Sequence, residues 1–99
     1  MNKTEYLLAC LSEECAEVQK NVGKALRFGL DDIDPNTKLG TNGELILEEF
    51  YHICAVVELL QEDGIIRKPS GYWKREMEND KKKRVTKFME YSKQKGTLK

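Results

Sequence analysis

Carboxylates and one histidine interrupt two otherwise apolar helical patterns in this sequence. At about 100° per residue, Glu14 falls at the centre of the apolar stripe of a first predicted helix, and Glu17 lies three residues further along its flank. On a second predicted helix, Glu49 and His52 repeat the three-residue spacing, and Glu48 borders the same face. Helical bundles build carboxylate metal sites from acidic groups spaced in this way on facing helices.

Burying these acidic groups without partners would be costly. An isolated buried carboxylate costs several kcal/mol, comparable to the stability of a small domain. Protonation, basic partners or bound cations would remove that cost, and hard ions such as Mg²⁺ suit carboxylate oxygens. The alternative is that the glutamates lie at the helix margins and pair with Lys20, Lys24 or a basic third helix. His52 is either a hydrogen-bonded core residue or a ligand, and as a ligand it would favour Mn²⁺ over Mg²⁺.

The elements that must position these residues are helices. Apolar periodicity predicts an all-α fold with three amphipathic helices, over residues 4–28, 44–62 and 70–94. Thr4 is the expected N-cap of the first helix, Gly29 its stop, and Ser70 the cap of the third. The stretch between the first two helices is rich in Asp, Asn, Gly and Pro, which predicts a loop.

The length of the chain, 99 residues, predicts a single helical domain over residues 1–99. A chain this short buries only about 60–65% of its unfolded surface, so three helices leave a thin core. Pairing the apolar stripes with a second copy would enlarge it. We therefore expect a bundle that is a homodimer or a higher homo-oligomer, two-fold symmetry being the commonest.

Opposite charges are divided between the two ends of the chain. Residues 1–66 hold thirteen acids against five bases, whereas residues 67–99 hold four acids against twelve bases. The acidic part suits cations, and the basic part suits phosphates or the acidic part itself. The basic run 81–84 has few interleaved aromatic residues and several acidic neighbours, so nucleic acid is not an expected partner.

Apolar runs and cysteines indicate the compartment. No stretch approaches the roughly 18 apolar residues of a membrane span, and the N-terminus turns acidic before a signal-peptide core is complete. We therefore expect a cytoplasmic protein with no membrane partner. Cys10, Cys15 and Cys54 are odd in number and lack a C-x-x-C pair, which favours reduced thiols over disulfides or a zinc site.

At its acidic positions the chain resembles the MazG-like, all-α nucleoside-triphosphate pyrophosphohydrolases. That superfamily carries E-x-x-E on one helix and E-x-x-D on the next. Here Glu14-Cys-Ala-Glu17, in SEECAEVQK, matches the first motif. Glu49-Phe-Tyr-His52, in LEEFYHICAVVELL, matches the second except that His52 replaces the expected Asp. The segments KALRFGLDD and KFMEYSKQKGTL also look like short, phage-encoded members, so the similarity covers most of the chain.

The resemblance implies a helical, oligomeric enzyme that hydrolyses a nucleoside triphosphate, often a deoxynucleotide, to the monophosphate and pyrophosphate. It implies Mg²⁺ as the cofactor, held by Glu14, Glu17 and Glu49, with His52 as a fourth candidate ligand whose imidazole would make Mn²⁺ a possible substitute. Glu48 or Glu13 would orient the attacking water. The candidate substrate contacts are Lys24, Arg27, Lys83 and Lys87 for the phosphates, and Trp73, Tyr51 or Phe50 for the base and sugar.

Two other functions fit the same residues. The first is a non-catalytic nucleotide-binding protein related to such an enzyme, which His52 supports because a neutral imidazole supplies one negative charge fewer than Asp. The second is a helical interaction module whose acidic face meets a basic partner. For each candidate phosphate contact, the alternative is an ordinary solvated side chain.

Overall fold

The computed structural model describes residues 1–99 and contains three α-helices, α1 (Lys3–Phe28), α2 (Asn42–Glu62) and α3 (Gly71–Lys95). No strand is present, and the α1–α2 loop holds only an isolated antiparallel bridge between Ile33 and Thr41. The all-α prediction is confirmed. The predicted helix bounds differ from the observed ones by two residues at most.

Two predicted helix starts are wrong by a small amount. Asn2 caps α1 in place of Thr4, because its Oδ1 accepts a 2.8 Å hydrogen bond from the backbone N–H of Glu5. The second helix starts two residues earlier than predicted, because Thr41 and Glu44 form a capping box. The Glu44 N–H donates to the Thr41 hydroxyl at 3.1 Å, and the Thr41 N–H donates to the Glu44 carboxylate at 3.0 Å.

Other predicted helix ends are confirmed. Gly29 follows the last residue of α1, and its φ of 103° lies where residues with a side chain are strained. The hydroxyl of Ser70 accepts a hydrogen bond from the Trp73 N–H at 3.3 Å and caps α3. Gly96 ends that helix in the left-handed conformation, with φ 80°.

The chain divides into two compact units, Met1–Arg67 and Lys68–Lys99. The prediction of a single domain is not decided by this division and stays a prediction. The first unit is an antiparallel hairpin of α1 and α2. Lys3, at the start of α1, pairs with Asp63, just after α2, at 2.9 Å between Nζ and Oδ2.

The positions where α1 and α2 meet follow the alternating three- and four-residue spacing of a coiled-coil seam. All of them are buried or half-buried. Glu14 and Glu49 belong to this seam and are half-buried, as the apolar periodicity predicted for their positions. The seam consists of Leu7, Leu11, Glu14, Val18, Asn21 and Ala25 on α1, and of Asn42, Ile46, Glu49, Ile53, Val56 and Leu60 on α2.

Two asparagines are buried in the hairpin, and both bond to backbone carbonyls. Asn42 is 1% exposed, and its amide donates to the carbonyl of Gly29 at 2.9 Å, which joins the start of α2 to the end of α1. Asn21 donates to the carbonyl of Leu45 at 3.4 Å. Only two apolar side chains, Leu7 and Leu60, are buried, so the core is thin, as predicted.

The two sides of the hairpin differ in charge. The pairs Lys3–Asp63 and Glu14–His52 bring one flank of each helix to the same side, which we call the site face. The opposite flanks therefore share the other side. No charged residue occurs on these flanks, and we call them the uncharged face. It comprises Leu8, Leu11, Ser12, Cys15, Gln19, Val22 and Leu26 on α1, and Gly43, Leu47, Phe50, Cys54, Val57 and Gln61 on α2.

The second unit is α3 with the residues that flank it. Every residue of α3 except Ser92 is exposed, including the predicted apolar stripe of Trp73, Met77, Phe88 and Tyr91. After Gly96 the chain turns back, and the backbone N–H groups of Thr97 and Leu98 donate to the carbonyl of Ser92. No helix of the protein combines the length and the apolar character needed to cross a bilayer.

Candidate metal centre

Three of the predicted ligands meet on the site face of the hairpin. Nδ1 of His52 lies 3.2 Å from Oε2 of Glu49, one turn earlier on α2, and 3.4 Å from Oε2 of Glu14 on α1. One ligand atom from each residue lies within 4.8 Å of the other two. The antiparallel seam produces this meeting, because it sets Glu14 opposite the middle of α2. Two carboxylates and one imidazole nitrogen thus converge from two helices.

The charges in this cluster shift two pKa values upward. A hydrogen bond with the Glu49 carboxylate raises the pKa of Glu14, and partial burial and the Glu49 charge act in the same direction. His52 opposes that shift through its charge and its hydrogen bond to Glu14. The hydrogen bond to Glu49 also raises the pKa of His52, against the effect of burial and with help from the surrounding glutamate charges. Both shifts indicate a site with an excess of negative charge.

Glu48 approaches the other nitrogen of the same ring. Its Oε1 lies 4.0 Å from Nε2 of His52, and its side chain is 61% exposed. The imidazole therefore has a carboxylate near each nitrogen. When protonated, His52 can donate from Nδ1 to Glu49, lies within ion-pair distance of Glu48, and acts as the cation of the cluster.

A divalent cation is the other way to neutralise this cluster. It would need neutral His52, with the lone pair on Nδ1, because that is the nitrogen facing Glu14 and Glu49. Carboxylate oxygens suit Mg²⁺ and Mn²⁺, and the imidazole nitrogen favours the latter. The donor set therefore fits a divalent ion, with protonated His52 as its competitor.

Glu17 and Glu13 lie outside the group of three. Glu17 is half-buried on α1, three residues after Glu14, and its carboxylate is not among the ligand atoms that converge. Glu13 is exposed on α1. The roles of Glu17 as a ligand and of Glu13 as the residue that orients water stay predictions.

The predicted phosphate contacts on α1 have other partners within the hairpin. Nζ of Lys24 lies 3.4 Å from Oδ2 of Asp34, and both residues are half-buried. The N–H of Asn36 holds the pKa of Asp34 below its usual value, with Lys24 acting in the same direction. The guanidinium of Arg27 lies 5.4 Å from the centre of the Phe28 ring. Contact between these bases and a phosphate stays a prediction.

The remaining predicted substrate contacts belong to α3. Lys83, Lys87 and Trp73 are exposed there, and none of their own side chains forms an ion pair or a hydrogen bond. Their exposure fits both the predicted roles and the solvated alternative. Their roles stay predictions.

An open groove borders the metal cluster on α2. It has a volume of about 400 Å³ and shares His52 and Glu48 with the cluster. Tyr51, a predicted base or sugar contact, contributes to its wall, whereas Phe50, the other aromatic candidate on α2, does not line it. The lining residues are Leu39, Glu44, Leu45, Leu47, Glu48, Tyr51 and His52.

Sequence reasoning missed the two buried asparagines. The helical period places Asn21 on the same stripe as Glu14, so that position carried a detectable signal. Asn42 gave no such signal, because it was assigned to the loop and its partner is a backbone carbonyl. Together they fix the register of α1 against α2, on which the convergence of Glu14 and His52 depends.

Comparison with protein-family models, with curated proteins and with solved structures finds no match to this chain.

Proposed function

We propose that the chain is a divalent-metal-dependent hydrolase that converts a nucleoside triphosphate, most simply a deoxynucleotide, to the monophosphate and pyrophosphate. The observation that carries this proposal is the convergence of Glu14, Glu49 and His52, from two helices, within 4.8 Å of one another. The same three residues belong to the E-x-x-E and E-x-x-H motifs that resemble the MazG-like pattern.

The electrostatics of the cluster support a cation. The hydrogen bond with Glu49 across the seam raises the pKa of Glu14, and partial burial and the repulsion between the two carboxylates add to this effect. A triphosphate would be repelled by the same charges, so the site needs a cation before it can accept such an anion. Glu14, Glu49 and His52 would hold the ion, with Glu17 as a further ligand, and Mg²⁺ or Mn²⁺ are the proposed cofactors.

The chemistry divides between the ion and the chain. The ion, when bound, acts as a Lewis acid that offsets phosphate charge and acidifies water. The reaction joins the oxygen of water to the α-phosphorus and breaks the bond from that phosphorus to the bridging oxygen. Glu48 is exposed beside the cluster and is the proposed acceptor of the proton from water, with Glu13 as the second candidate.

The groove beside the cluster is the proposed place for the nucleoside. Tyr51 offers an aromatic surface for the base, and Leu39 and Leu45 offer apolar contacts. The groove adjoins His52, so a nucleoside there would place its phosphates toward the metal ligands. Lys24, Arg27, Lys83, Lys87 and Trp73 are the proposed further contacts. Because the core is thin, we also take the enzyme to be a homo-oligomer.

A panel of nucleoside triphosphates tests the proposal. The purified chain is incubated with each ribo- and deoxynucleotide and with Mg²⁺, Mn²⁺ or a chelator, and the products are separated. We expect pyrophosphate and the monophosphate with metal, and neither with the chelator. Glu49→Gln should remove the activity, whereas Glu58→Gln, an exposed glutamate on the same helix, should retain it. Release of single phosphate, or activity that survives the chelator, would refute the proposal.

A non-catalytic nucleotide-binding protein is the second candidate. The observation that favours it is the raised pKa of His52, because a proton on the imidazole competes with a metal ion for the same nitrogen. In this case calorimetry would detect nucleotide binding while the panel yields no product. If neither binding nor turnover occurs with any metal, the third candidate, a helical interaction module, is the one that survives.

A further inference from the structure

The polar side chains of the groove beside the metal cluster are nearly all hydrogen-bond acceptors. Three of its seven lining residues are leucines, and the other four are Glu44, Glu48, Tyr51 and His52. Ionised carboxylates only accept hydrogen bonds, whereas the tyrosine hydroxyl either donates or accepts. Nδ1 of His52 already faces Glu49, and its Nε2 faces Glu48. No amide, serine, threonine, lysine or arginine side chain lines the groove, so a ligand there meets a wall without a fixed side-chain donor.

Glu44 is the carboxylate of the groove that the fold holds in place. In the capping box its Oε1 accepts the N–H of Thr41 at 3.0 Å, while its own N–H donates to the Thr41 hydroxyl at 3.1 Å. The Thr41 N–H lowers the pKa of Glu44 from its usual value, and the Thr41 hydroxyl acts in the same direction against desolvation. A carboxylate has about four acceptor sites, so Glu44 keeps the capacity to bind a ligand. It is a preorganised acceptor at the start of a long helix.

We propose that the groove selects nucleotides whose base carries an amino group, namely cytosine, adenine and guanine, over those of uracil and thymine, with Glu44 as the acceptor. This inference rests on the proposed function. An exocyclic amino group presents N–H donors to the carboxylate, and pairing of a glutamate with the amino group of cytosine is a known mode of base recognition. Uracil and thymine carry carbonyl oxygens on both sides of their single ring N–H, and those oxygens would repel Glu44.

The position of Glu44 along α2 suits contact with the base. It lies eight residues before His52, about 12 Å along the helix axis at 1.5 Å per residue. Tyr51 lies seven residues after Glu44, which sets both on the same side of the helix. With the phosphates at the metal ligands and the base against the Tyr51 ring, the base edge farthest from the sugar lies toward Glu44. Glu48 lies next to His52 and keeps its separate role in the reaction.

The triphosphates of deoxycytidine and deoxyuridine give a matched test. They share size, sugar and charge, and they differ in the donors and acceptors on the base edge. We expect kcat/KM with saturating metal to be about 10-fold higher for the cytosine nucleotide, in the lower part of the range for one side chain reading one base, because the groove is open. Equal values, or a higher value for the uracil nucleotide, would overturn the inference and leave the proposed function standing.

Glu44→Gln tests the named residue without removing the helix cap. Glutamine serves in the capping box as glutamate does, but its amide donates as well as accepts. We expect the two kcat/KM values to become nearly equal in this variant, mainly through a rise for the uracil nucleotide, with an unchanged melting temperature. Glu58→Gln, exposed on the same helix and outside the groove, should keep the wild-type ratio. A wild-type ratio that persists in Glu44→Gln would overturn the proposal.

Binding of the free nucleosides separates this inference from the proposed function. Deoxycytidine and deoxyuridine lack phosphates and need no metal, and their titration is followed by the NMR signals of the Tyr51 ring. Larger shifts with deoxycytidine, reduced in Glu44→Gln, support the inference even if no triphosphate is hydrolysed, in which case the proposed function alone fails. If no triphosphate is hydrolysed and the two nucleosides give equal shifts or none, the inference fails with it.

Discussion

Oε2 of Glu14, on α1, lies 3.4 Å from Nδ1 of His52, on α2. The same nitrogen lies 3.2 Å from Oε2 of Glu49, so one imidazole nitrogen is close to two carboxylates that belong to different helices. A proton on that nitrogen would exclude a metal ion from it. The pH and the metal concentration would therefore act on the same atom of the hairpin.

Removing one carboxylate from the seam tests whether Glu14 and Glu49 are metal ligands or structural residues. Glu14→Gln and Glu49→Gln should each lower turnover at least about 100-fold, since even residues that only support a ligand cost 10–100-fold when lost. The melting temperature without metal should be unchanged or higher, because the repulsion between the carboxylates is gone. Glu58→Gln is the control. If either variant unfolds and the wild type binds no divalent ion, the carboxylates are structural.

Changing His52→Asp should alter the choice of metal. It would supply the acidic residue that the resembled motif has at this position, adding one negative charge. We expect Mg²⁺-dependent activity to rise and the preference for Mn²⁺ to weaken, because imidazole is the softer ligand. Activity titrations with both ions measure the change. An unaltered metal preference would remove His52 from the set of ligands and leave it as a hydrogen-bonding partner of the glutamates.

The stability of the metal-free protein should fall as the pH rises. His52 has a folded-state pKa above its unfolded value of about 6.5, so its stabilising effect is complete below pH 6.5 and is lost as the pH rises through the folded pKa. The raised pKa of Glu14 acts in the same direction at lower pH. Thermal melts with chelator at pH 6 and pH 8 should show the lower melting temperature at pH 8. His52→Gln should flatten this difference, and an equal difference in that variant would assign it to other groups.

Added Mn²⁺ should oppose that pH dependence. Metal binding requires neutral His52, so the rise in melting temperature on adding Mn²⁺ should be larger at pH 8 than at pH 6. Thermal melts at pH 6 and pH 8, with and without saturating Mn²⁺, measure this rise in melting temperature. A gain that is independent of pH would show that the ion binds without the imidazole.

The stability of the junction between α1 and α2 should depend on the buried side-chain amide of Asn42. Asn42→Ala removes the hydrogen bond to the Gly29 carbonyl and leaves that acceptor without its partner, which costs about 1–3 kcal/mol. Asn79→Ala, an exposed position on α3, should stay within about 0.5 kcal/mol of the wild type. Urea unfolding followed by circular dichroism compares the two. Equal effects would mean that the Asn42 bond contributes nothing specific.

The helices and the centre of the candidate site could be predicted from the sequence because both depend on a local period. Glu14 and Glu49 were expected on the inner stripes, and the structure places both on the seam. The period describes one helix at a time and does not set the register between two. That register is fixed in part by Asn42 and Gly29, whose bond joins a side chain to a backbone carbonyl that no residue pattern reveals.

The N-cap of α1 was predicted wrongly because two neighbouring residues could do the same task. Asn2 and Thr4 both cap helices well, and the helix uses the earlier one because Glu5 then supplies the N–H. The contact of Lys24 with a phosphate stays a prediction, and within the hairpin the partner of Lys24 is Asp34 in the connecting loop. A charge count cannot predict which acidic group Lys24 pairs with, because the pairing depends on where the α1–α2 loop passes α1.

The two glutamates on the seam also bear on how this sequence would change under selection. A leucine at either position would extend the coiled-coil packing and remove a repulsive charge, so stability alone favours their loss. A mutant library screened only for resistance to heat should lose Glu14 and Glu49 early, whereas one screened for nucleotide hydrolysis should keep them. The hairpin would then be a fold that gives up some stability at two defined positions for the chemistry they allow.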